Sequence, residues 1–181
     1  MRRIARERRQ SFVAGLGERE RERLERQLAE VLEPALAKSL IVGGYHPLPS
    51  EISPLPALDQ AATRGSIVAF PAFSDHLATF RFLAGKPAEQ GPWAVLQPSL
   101  DCPEVFPDLV LVPLVAVDGK GTRLGQGKGH YDRVLGALRG HGALLLGVGW
   151  GVQRLAQPIP ADPWDVALDG FASPDGLEMF R

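Results

Sequence analysis

Asp108-Leu-Val-Leu-Val-Pro-Leu-Val-Ala-Val-Asp118-Gly-Lys-Gly-Thr-Arg-Leu-Gly-Gln-Gly-Lys-Gly-His-Tyr-Asp-Arg133 decides how this chain folds. Its first ten residues, Asp108 to Val117, are the strongest strand signal in the sequence. They are continuously apolar rather than alternating, as expected of a strand covered on both faces. A glycine-rich stretch follows, and Tyr131 to Arg139 then reads as a helix stopped by Gly140. Ala143 to Trp150 reads as the next buried strand, which makes a strand–loop–helix–strand unit.

The same alternation extends upstream. Ser39 to Tyr45 reads as a short buried strand ending in a loop with Pro47 and Pro49. Leu55 to Arg64 reads as a helix ended by Gly65, and Ser66 to Phe70 as a second strand. Ala78 to Leu83 is a weaker third strand, and Gly85 to Asp101 is rich in loop residues. Before all of these, Leu24, Leu28, Val31, Leu32 and Leu36 recur at helical spacing between Glu18 and Lys38. That pattern predicts a surface helix with one buried stripe and a solvated charged face. Arg2 to Ala14 is expected as a short separate helix, with Gly15 and Gly17 as the break. The expected fold class is α/β, one domain over residues 1–181, with a mainly parallel sheet flanked by helices.

Composition narrows the function. The 181 residues are 45% hydrophobic and 23% charged, ordinary for a globular domain. The formal net charge of -1 argues against nucleic acid or an acidic membrane as partner. The longest apolar run is Leu109 to Val117, interrupted by Pro113, and no apolar stretch follows the basic residues Arg2 to Arg9. Neither a membrane span nor a secretory signal is therefore expected. The lone Cys102 fits a reducing compartment, and the chain is expected in the cytoplasm. Charge is nonetheless uneven: nine Arg and five Glu through Arg26 give +4 there and leave -5 on the remainder.

The glycine-rich stretch carries the chemistry. Gly125, Gly127 and Gly129 alternate, which lets backbone N–H groups converge on an anion. Arg123 and Lys128 add positive charge, and a helix N-terminus follows. The stretch reads as a phosphate cradle, although a tight surface turn is the simpler alternative. It does not match the P-loop pattern, because Thr122 and Gly129 stand where Gly and Ser or Thr are needed. Nor is it a dinucleotide fingerprint, because His130 stands at the third glycine position.

Leu111-Val-Pro-Leu-Val-Ala-Val-Asp118 followed by Arg123-Leu-Gly-Gln-Gly-Lys-Gly-His-Tyr-Asp-Arg133 resembles the signature of the 5-formyltetrahydrofolate cyclo-ligases. These are also called 5,10-methenyltetrahydrofolate synthetases. The basic N-terminal helix, Tyr45-His-Pro-Leu-Pro-Ser-Glu51, the Gly-Pro-Trp stretch before Pro98 and Asp165 extend the resemblance along the chain. It implies a ribose-phosphate isomerase and CoA-transferase-like fold, and ATP- and Mg²⁺-dependent ring closure of 5-formyltetrahydrofolate to 5,10-methenyltetrahydrofolate. By the same resemblance Arg2, Arg6 and the segment Arg123, Leu124, Gly125, Gln126, Gly127, Lys128, Gly129, His130 and Tyr131 hold ATP. Arg123, Lys128 and Tyr131 would take part in the transfer. His46, Glu51, Gln126, Gly127, Lys128, Gly129 and His130 would line the folate site. Asp132 and Asp165 would bind Mg²⁺, with Asp162 and Asp169 as nearby competitors and helix capping as the alternative for Asp132. A folate and ATP are the implied partners, and a monomer is expected.

Three positions depart from the family pattern: His130 stands for Tyr, Gln97 for Glu before Pro98, and Trp164 for His or Asn before Asp165. Trp93 is a candidate for stacking on the folate or for the core. Two other functions fit parts of the sequence: an RNA-binding module built on the Arg-rich N-terminus, or a sugar-phosphate isomerase or transferase on a related fold.

Overall fold

A computed structural model of the chain describes residues 1–75, 79–127 and 129–180. Two helices come first, α1 (Arg2–Ala14) and α2 (Glu18–Leu36). Then follow β1 (Ile41–Gly43), α3 (Leu55–Thr63), β2 (Ile67–Ala72), β3 (Arg81–Ala84), β4 (Glu89–Gln90) and β5 (Leu96–Gln97). The second half is β6 (Leu109–Pro113), β7 (Ala116–Val117), β8 (Arg123–Leu124), α4 (His130–Gly140), β9 (Leu144–Val148), β10 (Gly170–Ser173) and β11 (Gly176–Met179).

Seven strands form one sheet in the order β11-β10-β9-β6-β1-β2-β3. The pairs β1–β2, β1–β6, β6–β9 and β9–β10 are parallel, while β2–β3 and β10–β11 are antiparallel hairpins at the two edges. The mainly parallel α/β sheet flanked by helices is therefore found. The expected strand over 108–117 is in fact two: Pro113 ends β6, and β7 leaves the main sheet to pair with β8. Proline has no N–H to give to a ladder, so Pro113 is tolerated at the end of β6, where the chain leaves the main sheet. The edge hairpin β10–β11 has no counterpart in the sequence reading, because its outer strand is exposed and lacks an apolar run. β3 begins at Arg81; Ala78, where the third strand was expected to start, lies outside the described residues.

The apolar run of β6 feeds two cores. Leu109 and Leu111 face a cluster with Leu28, Leu32, Leu36 and Leu58 from α2 and α3. Val110 and Val112 face the other side with Leu135 and Leu138 of α4 and Phe80 and Phe82. The period-two alternation of a strand, buried on both faces, produces these two layers. The charges of α2 are not all solvated, contrary to expectation. Arg21 donates to the carbonyls of Pro49 and Glu51, and the Glu25 carboxylate accepts the Ser53 N–H. These bonds brace the loop after β1.

Asp118 performs a similar task after β7. Its carboxylate accepts the N–H groups of Lys120 and Thr122, which closes the β7–β8 turn, and of Ile159, which tethers a distant loop. Burial alone would raise its pKa, but these backbone hydrogen bonds outweigh that and hold it below the ordinary carboxyl value. A carboxyl whose folded pKa is depressed contributes stability above its unfolded pKa, about 3.9, and loses it as pH falls through the folded value. Asp118→Asn should therefore lower the melting temperature at pH 7 and flatten the acid limb of the stability curve. Thermal melts between pH 2.5 and 7 check this; superimposable wild-type and variant curves would contradict it.

Candidate functional site

The sheet changes winding direction between β1 and β6. The β1–α3–β2 unit runs toward one edge and the β6–α4–β9 unit toward the other. Loops leaving the C-terminal ends of such neighbours diverge and leave a crevice, the usual ligand position in open α/β sheets. Here the crevice is a cleft of about 610 Å³. The loop after β1 contributes Tyr45, His46, Leu48 and Glu51. Pro71 and Phe73 at the end of β2, with Phe80, form an aromatic wall; segment 123–132 forms the floor. The described residues that the resemblance assigns to the site all reach this cleft: Arg2, Arg6, His46, Glu51, Arg123, Leu124, Gly125, Gln126, Gly127, Gly129, His130, Tyr131, Asp132 and Asp165. Lys128, also assigned there by the resemblance, lies outside the described residues.

α1 lies across the glycine loop. Its Arg2 Nε donates to the Gly125 carbonyl at 2.9 Å, and Arg6 Nη2 donates to Gln126 Oε1 at 3.1 Å. The helix is fastened by Ala5 and by Phe12, whose ring packs 5.6 Å from that of Trp150. Positions 2, 5, 6, 9 and 12 thus form one stripe at helical spacing. Three of its five members are arginines, so no apolar pattern announced it. Within the loop, Gly127 and Gly129 hold φ of +92° and +67°, which L side chains adopt only at a cost. Gly125 is different: a Cβ there would meet the Arg123 guanidinium at 3.0 Å. Gly121 belongs to the β7–β8 turn, where a Cβ would sit 2.3 Å from the Leu168 carbonyl oxygen.

Arg123 is the buried cation of the site, its side chain 5% exposed and paired with the Asp132 carboxylate. Its Nε and the Nε of Arg6 are buried and have no hydrogen-bond partner among the described residues. Unsatisfied buried N–H donors are costly, and two of them flanking a glycine cradle suit an anionic ligand rich in acceptor oxygens. Tyr131 stands beside Arg123, with Cζ 5.9 Å from the ring centroid. Burial pushes the Tyr131 hydroxyl pKa up, the Glu51 charge adds to that, and Arg123 opposes it. The phenol is therefore a neutral donor at physiological pH.

Asp132 lies in the first turn of α4 without capping it; the N-cap is Gly129, and among the described residues no side chain closes that end. The helix starts at His130, one residue before the expected position. Asp132 and Asp165 also border one small depression of about 40 Å³ beside the main cleft. Asp165 folds onto its own turn, its carboxylate accepting the Asp162 N–H at 2.8 Å. Of the two competitors, Asp162 lines the cleft, whereas Asp169 is engaged elsewhere by Arg139 and the Leu145 N–H. Among the described residues no three acidic, histidine or cysteine side chains gather into a metal cage. Two carboxylates lining one cleft with the glycine loop nevertheless fit Mg²⁺, which commonly takes one or two carboxylates together with phosphate oxygens and water.

Two departures acquire a physical reading. Gln97 is buried and clamps the backbone of Phe73, donating to its carbonyl and accepting from its N–H. A carboxylate could not donate the first of these bonds. His130 packs against the Phe73 ring at 5.0 Å, so this polar ring joins the aromatic wall. The side chain of Trp93 lies outside the described residues. The sequence reading missed the wall itself and Arg9, which is only 2% exposed beneath Glu51.

Residues 1–174 match the model of the 5-formyltetrahydrofolate cyclo-ligase family. This chain belongs to that family. Among its cyclo-ligase relatives, the 5-formyltetrahydrofolate cyclo-ligase of Haemophilus influenzae is 35% identical over 101 residues, 53% of this chain and 54% of that protein. The cyclo-ligase of Mycolicibacterium smegmatis is 43% identical over 70 residues, 37% of this chain and 34% of that protein. The chain spans about half the length, or less, of the curated relatives it matches. Likeness in structure runs further. The NMR structure of Aquifex aeolicus 5,10-methenyltetrahydrofolate synthetase superposes with a TM-score of 0.82 at 26% identity, covering 99% of this chain and 93% of that one. The Mycoplasma pneumoniae 5,10-methenyltetrahydrofolate synthetase shares the fold, with a TM-score of 0.74 at 22% identity over 96% and 98% of the two chains. The cyclo-ligase fold thus spans nearly the whole chain. No helix among the described residues is long and apolar enough to cross a membrane.

Proposed function

We propose that this chain catalyses the ATP- and Mg²⁺-dependent ring closure of 5-formyltetrahydrofolate to 5,10-methenyltetrahydrofolate, releasing ADP and phosphate. The observation that carries the reading is the meeting, in one cleft, of a glycine cradle roofed by two arginines, an aromatic wall and the carboxylate of Glu51. A polyphosphate and a flat polar heterocycle are the ligands such halves suit.

The formyl oxygen is a poor leaving group until it accepts the γ-phosphoryl group. N10 can then attack the formyl carbon and release its proton to solvent, and phosphate leaves as the C–O bond breaks. Such a reaction asks the protein for position and charge neutralisation rather than for a covalent nucleophile. Arg2, Arg6 and the backbone of Gly125, Gly127 and Gly129 hold the phosphates. Arg123, and Lys128 by resemblance, offset the charge that develops on the transferring group. Glu51 and His46 hold the folate, and Tyr131 donates its proton as a hydrogen bond without losing it. Asp132 and Asp165 hold Mg²⁺, which when bound supplies charge neutralisation at the phosphates.

The direct test follows methenyltetrahydrofolate absorbance from 5-formyltetrahydrofolate with and without ATP and Mg²⁺. Product formed only with both is expected; none under any condition would defeat the reading. Within an active enzyme, Arg6→Ala should raise KM for ATP about tenfold while KM for the folate changes less. Equal shifts in both would remove Arg6 from the nucleotide end. Asp132→Asn should cut turnover about 100-fold at millimolar Mg²⁺ and recover part of it as Mg²⁺ is raised. Turnover within twofold of wild type, read from a Mg²⁺ titration, would leave Asp132 with its Arg123 pair alone.

A further inference from the structure

Arg9 is a buried arginine for which the proposed reaction has no use. It projects from the same face of α1 as Arg2 and Arg6, one turn further along, but it enters the protein instead of the cleft. Its side chain is 3% exposed and that of Glu51 7%, and Nη1 lies 3.5 Å from Glu51 Oε1. The same nitrogen donates to the Leu114 carbonyl at 3.1 Å. Burial lowers the Arg9 pKa and the Glu51 charge opposes this, yet a guanidinium remains protonated in protein interiors. Burying a full charge is costly unless it is paired, and a pair in low dielectric is a strong restraint on both partners.

The remaining contacts show what is restrained. Glu51 Oε1 also accepts from Gln126 Nε2 at 3.2 Å, and Oε2 accepts from the Leu48 N–H at 3.0 Å. Gln126 is held in turn by Arg6. The carboxylate of Glu51 is therefore fixed from three directions, and the only cation among these partners is Arg9. Sequence spacing could not reveal this, because the two residues are 42 positions apart.

We infer that Arg9 is a positioning residue: from beneath the cleft it keeps the Glu51 carboxylate aimed at the folate end. The inference rests on the proposed function, because it assigns Glu51 a ligand to hold. A carboxylate fixed in this way accepts an N–H donor from a planar ring on the remaining lone pair of Oε2 without first losing its own freedom of rotation. One helix then serves both ends of the cleft, through Arg2 and Arg6 at the phosphates and Arg9 behind Glu51.

Steady-state kinetics and thermal melts on the full chain test this with Arg9→Met, Arg9→Lys, Glu51→Gln and the Arg9→Met/Glu51→Gln double variant. Arg9→Met should raise KM for 5-formyltetrahydrofolate about tenfold or more, with kcat and KM for ATP changed less than about threefold. Arg9→Lys, which retains the charge on one nitrogen, should recover part of that loss. The double variant should bind the folate no worse than Glu51→Gln alone, because Arg9 acts through Glu51. An unchanged folate KM in Arg9→Met overturns the inference, as does a fully additive double variant. If Arg9→Met melts below the assay temperature, Arg9→Lys decides: a folate KM raised about threefold at normal kcat supports the inference, and wild-type kinetics overturn it. Wild-type enzyme that makes no ATP-dependent product defeats the proposed function, and the inference with it. Normal wild-type turnover with an indifferent Arg9→Met defeats the inference alone.

Discussion

Arg123→Ala should lower kcat by about 10²- to 10³-fold, the loss commonly seen when one preorganised donor to developing charge is removed. Arg123 is suited to so large an effect. It is buried, so its charge is little screened, and its Nε has no hydrogen-bond partner among the described residues. Its Nη2 is engaged by Asp132, so the guanidinium is already held in place before any ligand arrives. Arg123→Lys should recover only part of the activity, because an ammonium cannot pair with Asp132 and also direct a second planar edge into the cleft. Initial rates of methenyltetrahydrofolate formation, with melting temperatures as a control for folding, check both variants. If kcat of a folded Arg123→Ala protein stayed within threefold of wild type, the charge-neutralising role would pass to Lys128 or to the arginines of α1.

The largest expected effect on stability comes from Glu51. Replacing it with leucine leaves the Arg9 guanidinium buried without its counter-charge, which typically costs about 3–5 kcal/mol. In a chain of this length each kcal/mol moves the melting temperature by roughly 2–4 °C, so a fall of about 10 °C is expected. Glu51→Gln should cost less, because an amide oxygen can still accept from Arg9. Adding Arg9→Met to Glu51→Leu should return much of the loss, since two apolar side chains can replace a buried pair. Melting curves of the three proteins check this. A Glu51→Leu protein that melts with wild type would show that water or a neighbouring group already compensates Arg9.

Much of the architecture was legible because it is local. β6 was found from a run of apolar residues, and that run is buried on both sides as a parallel central strand must be. α2 was found from Leu24, Leu28, Val31, Leu32 and Leu36, and the last three of its leucines are core residues. The β10–β11 hairpin escaped notice because its outer strand faces solvent and carries no pattern. The split at Pro113 was underread, since an apolar run of nine residues outweighed the proline within it. α1 was read as basic and separate, and its docking stripe was invisible because arginines occupy the positions that leucines usually mark.

The candidate site shows the same division. By itself the sequence determined the glycine spacing, the Arg2 and Arg6 face, the acid after the cradle and the family to which they point. These are properties of neighbours along the chain, where helical and turn periodicity translate spacing into direction. Only the tertiary structure decided that Arg9 lies under Glu51, that Gln97 clamps Phe73, and that Asp132 faces Arg123 instead of capping its helix. Periodicity states which residues share a face but not what that face meets. The meeting is set by the order of strands in the sheet, which brings the ends of β1 and β6 together and closes α1 over both.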